Sequence, residues 1–163
     1  MTNVKHETTH EAQHAAPVEA WDAIATLYDE HVAPGESDLA IAGLRLAYWT
    51  PDARHAARAL ENSSGTRDVR ILLAHRPDAA LMLHPGTRVD LTVAGHTHGG
   101  QVQLPLVGPP TIASKLPRHV GAGGLHELQD RRIYVSRGVG VERAQAPRLR
   151  LGAVPEVSVI SLR

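Results

Sequence analysis

"VDLTVAGHTHGGQVQLP", residues 89–105, ends an apolar run in two histidines one residue apart, set among glycines. Val89, Leu91 and Val93 alternate with polar or small residues, a pattern that fits a pleated, half-buried β-strand closing at Ala94-Gly95. Gly95, Gly99 and Gly100 allow the chain to bend sharply there. On extended backbone His96 and His98 would leave the same face, which suits two nitrogen ligands for one metal or for two adjacent metals. A second run, "VRILLAH" (69–75), ends in the same way, delivering His75 just ahead of Arg76-Pro77-Asp78. In open α/β sheets ligands gather outside the carboxyl ends of strands, so His75, His96 and His98 are expected to converge on one crevice. Neutral imidazoles there suit zinc, iron or manganese. The plainer reading makes each histidine a hydrogen-bonded loop residue; what outweighs it is that two independent strands end alike.

Composition bounds the rest. At 163 residues the chain has the length of one ordinary domain. Lys plus Arg equals Asp plus Glu at 17 each, and no basic stripe points to nucleic acid as a partner. There is no cysteine, so a metal has only nitrogen and oxygen ligands available. No apolar stretch is long enough to span a bilayer, and the first residues lack the basic-then-apolar order of a signal peptide; the expectation is a cytoplasmic chain. Phenylalanine is absent too, which leaves Val, Leu, Ile and Ala to build the core.

Residues 1–16 are polar and are expected to form a disordered tail. His6, His10 and His14 recur every four residues in it and would share a face on a helix. Residues 17–47 are expected to be a helical N-terminal segment: Val18, Trp21, Ile24, Ala25, Leu27 and Tyr28 recur at helical spacing to about His31, and Pro34-Gly35 ends the helix. A second helix is expected after Thr50, a capping residue, with Pro51 in its first turn and Ala53, Ala56, Ala57 and Leu60 on its apolar face. Further strands are expected around 101–104, 132–135 and 157–162, joined by Pro- and Gly-rich loops.

From about Leu44 to Arg163 the chain resembles the C-terminal half of a calcineurin-like metallophosphoesterase. "ILLAHRPD" (71–78) and "AGHTHGGQ" (94–101) stand where that superfamily has its fourth and fifth metal-binding motifs, and "RRIYVSRGVGVE" (131–142) and "PEVSVISLR" (155–163) resemble the last strands of its bacterial branch. The resemblance implies an α/β fold, here an incomplete metallophosphoesterase-type β-sandwich flanked by helices over residues 48–163. It implies metal-dependent hydrolysis of a phosphomonoester or phosphodiester, with a binuclear centre of Mn, Fe or Zn in the complete family. His75 and His96 would bind one metal and His98 the other. Gln101 would order the loop or hydrogen-bond a ligand, and Arg137, otherwise a surface arginine, would meet a substrate phosphate.

The complete family pattern also carries Asp-x-His, Gly-Asp-x-x-Asp and Gly-Asn-His-Asp/Glu, which supply the bridging aspartate, an asparagine ligand and a histidine that assists the leaving group. This sequence has no Gly-Asp and no Asn-His pair. The expectation is therefore at most one metal and impaired catalysis, unless a partner chain supplies the missing motifs. Asp29-Glu30-His31 has the Asp-x-His spacing but reads as a charged helix end; Asp78 reads as a helix cap and Asp90 as the start of a strand, away from the site. His55, His84, His119 and His126 fit no metal pattern. Two competing readings stand beside this one: a non-enzymatic metal-binding or interaction module built on the same three histidines, and a fused fragment of a class I S-adenosylmethionine-dependent methyltransferase, whose opening helices residues 20–47 resemble without the glycine-rich cofactor loop.

Overall fold

The computed structural model describes residues 39–44, 48–62, 69–141 and 148–161. In chain order its elements are β1 (Leu39–Leu44), α1 (Pro51–Glu61), β2 (Val69–Ala74), a 3-10 helix (Pro77–Met82), β3 (Leu91–Ala94), a 3-10 turn (His98–Gly100), the short α2 (Arg118–Gly121), β4 (Gly124–Leu128) and β5 (Arg131–Val135). The strands form one five-stranded sheet in the order β1-β2-β3-β5-β4. β1, β2, β3 and β5 run parallel, and β4 closes the edge antiparallel to β5. This is a mixed α/β arrangement.

The register decides where the chemistry sits. Ala74 pairs with Ala94, and Ala94 with Val135, so β2, β3 and β5 end level with one another at their carboxyl ends. The residues that follow, His75, Gly95-His96 and Ser136-Arg137, therefore leave the sheet along one edge. Backbone bonds continue the ladder past the strand ends: the Gly95 N–H donates to the His75 carbonyl (3.2 Å) and the Ser136 N–H to the Ala94 carbonyl (2.7 Å).

Burial follows the sequence pattern. The Thr50 hydroxyl accepts from the Ala53 N–H (3.3 Å) to cap α1, a contact that typically stabilises a helix by about 1 kcal/mol. Ala53, Ala57 and Leu60, one face of α1, pack with Ala40 and Leu44 of β1 and the fully buried Leu72 of β2. A second cluster joins Leu116 and Val120 to Ile133 and Val135 of β5.

Three expectations differ from what is observed. Residues 39–44, assigned to the helical segment, are a strand; a short apolar run carries no decisive period, and pairing along all of β2 settles it. Residues 101–104 make only isolated bridges, Val102 with Leu151 and Gly152 and Leu104 with Gly108. Residues 157–161 form no strand: Val157 and Val159 are exposed, since alternation makes a segment competent for pairing but supplies no neighbouring ladder. The expected tail over 1–16, the helix to about His31 and Asp29 lie outside the described residues. No helix among the described residues is long and apolar enough to cross a membrane.

Candidate metal centre

His75 follows β2 and His96 follows β3 by one glycine, and the level strand ends bring the two rings together: Nε2 of His75 lies 3.0 Å from Nδ1 of His96, with ring centroids 4.9 Å apart. Two nitrogens bound to one metal at about 2.0–2.1 Å each stand roughly 3.0–3.4 Å apart. The observed spacing suits two ligands of one cation, and equally one ring donating to the other. Burial, then the charge of Arg76 and the neighbouring His98, holds the His75 imidazole below the usual histidine range. It is neutral near pH 7, the form that offers a lone pair.

His98 also meets an arginine. Its Nδ1 lies 3.3 Å from Nη2 of Arg150. The loop between the histidines is not extended: His96, His98 and Gln101 all have positive φ (68°, 49° and 59°), as do Gly99 and Gly100. The expectation that His96 and His98 share a face as on a strand is therefore replaced by a tight left-handed coil. Non-glycine residues in that region carry strain, on the order of 1–3 kcal/mol each, and such residues concentrate at functional sites. Among the described residues no group of three or more His, Cys, Asp or Glu is arranged to hold a metal. Among the described residues the donors thus fit two nitrogen positions of one ion and do not fit a complete binuclear centre.

Gly100 makes the coil possible. At φ +75° it lies where a Cβ would come 2.5 Å from Pro109 Cβ and 2.7 Å from the Thr111 carbonyl. Gly100→Ala is expected to lower stability by at least about 2 kcal/mol, the cost of a left-handed alanine plus displacement of the 109–111 backbone. Urea unfolding monitored by circular dichroism checks this; a change below about 0.5 kcal/mol would mean the loop relaxes freely.

The other proposed participants are placed as follows. Gln101 is buried, 2% exposed, with its N–H donating to the His98 carbonyl (3.1 Å) and its carbonyl accepting from Leu151 (2.8 Å). Arg137 pairs with Glu156: Nη2 and Nε lie 2.5 and 2.8 Å from Oε2, and the Arg137 N–H donates to Oε1 (2.9 Å). Burial alone would raise the Glu156 carboxyl, but the Arg137 backbone and guanidinium and the Tyr134 hydroxyl outweigh it and hold it below the usual carboxylate range. Asp78 caps no helix; its Oδ1 accepts from the Lys115 N–H (2.6 Å), pinning the 111–116 loop beside the site. Asp90 accepts from the Arg70 N–H (2.8 Å) at the amino end of β2, opposite the histidines. Arg150 and Glu156 were not found from the sequence, because they lie tens of residues from the histidines and belong to no spacing pattern.

Comparison with known proteins gives the same relationship over the C-terminal half. The chain is 43% identical to a protein named uncharacterized metallophosphoesterase YkuE of Bacillus subtilis over 95 residues, 57% of this chain and 30% of that protein. It is 41% identical to the phosphodiesterase YaeI of Escherichia coli over 93 residues, 57% of this chain and 32% of the relative. Against the uncharacterized metallophosphoesterase Cj0846 of Campylobacter jejuni, identity is 33% over 124 residues, 76% of this chain and 29% of that protein. The chain thus spans about three-tenths of the length of the relatives it matches. No family model and no solved structure matches it.

Proposed function

We propose that this chain, a relative of the calcineurin-like metallophosphoesterases over its C-terminal half, is the histidine-bearing part of a metal-dependent phosphoester hydrolase, with little turnover of its own. The observation that carries the reading is the meeting of His75 and His96 at 3.0 Å, delivered by two parallel strands that end level. In that reading His75 and His96 offer nitrogen lone pairs to a divalent cation such as Mn, Fe or Zn. The cation would supply charge stabilisation to a phosphomonoester or phosphodiester and a hydroxide nucleophile. Gln101 keeps the strained loop in place through its backbone bonds. Arg137 is engaged by Glu156, so its contribution is to fix the strand end rather than to reach a phosphate. The reading includes a cytoplasmic setting and a partner polypeptide that brings the carboxylate motifs.

The test combines this chain with a polypeptide carrying the Asp-x-His and Gly-Asp motifs of the family and measures Mn²⁺-dependent hydrolysis of bis-p-nitrophenyl phosphate. Turnover is expected in the mixture and not in either part, and it should vanish with His75→Ala or His96→Ala. A mixture as inert as its parts, or one indifferent to both substitutions, removes the proposal. The competing reading, a non-enzymatic metal-binding or interaction module, has one observation in its favour, the lack of a third donor beside the pair among the described residues.

A further inference from the structure

We infer that Asp78 is the counter-charge of Arg76, a positioning residue whose carboxylate allows a divalent cation to be held at His75 beside a permanent guanidinium. The cation rests on the phosphoester reading above; the pairing of the two charges does not.

Arg76 follows His75 directly, on extended backbone (φ −100°, ψ 133°) at the carboxyl edge of β2. A guanidinium keeps its proton at any ordinary pH, so a positive charge stands next to one of the two rings offered to the metal. That charge reaches the imidazole, where it opposes a second positive charge on the ring. A divalent cation meets the same opposition, doubled. Without compensation, Arg76 would turn this edge of the sheet from a place for cations into a place for anions.

Asp78 supplies the compensation, and its two oxygens have separate tasks. Oδ1 accepts from the Lys115 N–H at 2.6 Å and so pins the loop. Oδ2 is buried and, among the described residues, has no hydrogen-bond partner; the same holds for Nε of Arg76, which lies 3.9 Å from it. That separation is too long for a hydrogen bond, so the two groups are paired by charge. Nη2 of Arg76 donates to the Ala113 carbonyl (3.3 Å), two residues from Lys115, and both side chains thus converge on the same stretch of backbone. The Asp78 side chain is 2% exposed, and a buried carboxylate oxygen without a hydrogen bond is costly to keep. An asparagine would hold the Lys115 N–H as well and avoid that cost. What the carboxylate adds over the amide is its charge.

Asp78→Asn separates the two tasks, because its amide oxygen still accepts from Lys115 while the charge is gone. Isothermal titration calorimetry of the full chain, with His6, His10 and His14 replaced by glutamine, measures Zn²⁺ binding and, on the metal-free chain, binding of inorganic phosphate. Asp78→Asn is expected to bind Zn²⁺ about tenfold more weakly, the order for one unit charge acting on a divalent ion under solvent screening, and to bind phosphate more tightly. Arg76→Gln is expected to move both affinities the other way, and the two substitutions together to return Zn²⁺ binding to within about threefold of the wild type. A structural defect does not weaken a cation while strengthening an anion, and removal of the neighbouring arginine does not repair it. Unchanged Zn²⁺ affinity in a folded Asp78→Asn chain overturns the inference, as does a loss that Arg76→Gln fails to restore, which would make Asp78 a ligand or a scaffold. Should Asp78→Asn not fold, Arg76→Gln decides alone: Zn²⁺ affinity that does not rise overturns the inference. A wild type that takes up no Zn²⁺ at the sheet edge removes instead the reading of the site, and the phosphate affinities then test the charge pairing by themselves, with equal values in all variants counting against it.

Discussion

Supplied with excess Mn²⁺, the 163-residue chain will hydrolyse bis-p-nitrophenyl phosphate no faster than the free metal ion, at least about 10³-fold short of the acceleration ordinary for enzymes. The reason is the lack of an anionic bridge. Two divalent cations held about 3.5–4 Å apart repel one another strongly unless a carboxylate lies between them. The sequence has no Gly-Asp and no Asn-His pair to supply the family's bridging carboxylate or its asparagine ligand. Among the described residues, the carboxylates near the sheet edge are placed for other contacts. Oδ1 of Asp78 accepts from the Lys115 N–H and its Oδ2 lies 3.9 Å from Arg76 Nε, Asp90 sits at the opposite end of the strands, and Glu156 is clamped by Arg137 and Tyr134. Robust turnover that disappears in His98→Ala would contradict this account. Asp29, in the Asp-x-His spacing of "YDEHV", would then be the first carboxylate to replace.

How much of this was legible in the sequence depends on the range of the interaction that fixes each feature. β2, β3 and β5 announced themselves by local alternation or apolar runs, and α1 by its Thr50-Pro51 start and the 3–4 residue recurrence of Ala53, Ala57 and Leu60. His75 and His96 were legible because each follows such a strand directly. β1 was missed, since "LAIAGL" is too short and too uniform to show a period and only the ladder to β2 makes it a strand. The left-handed coil at His96, His98 and Gln101 was missed for another reason: the neighbouring glycines signal a bend, but nothing in residue type says that the histidines themselves adopt positive φ. Arg150 reaches His98 across 52 positions, a contact that only the closed structure reveals.

Replacement of both His75 and His96 by alanine is expected to weaken binding of a first Zn²⁺ more than about 100-fold, because changes in groups that merely orient a ligating histidine already cost 10–100-fold. The pair supplies two imidazole nitrogens whose 3.0 Å separation fits one cation, and their removal leaves no comparable pair at the carboxyl ends of β2 and β3. His98→Ala should leave that affinity within about threefold, since Nδ1 of His98 faces the Arg150 guanidinium at 3.3 Å. The decisive experiment is a Zn²⁺ binding isotherm by isothermal titration calorimetry in a background where His6, His10 and His14 are glutamine, so that ions taken up at the sheet edge are the ones counted. The account predicts one ion per chain, lost in His75→Ala and in His96→Ala and retained in His98→Ala. Uptake that survives both of the first two substitutions, or that is lost equally on removing His98, would contradict it.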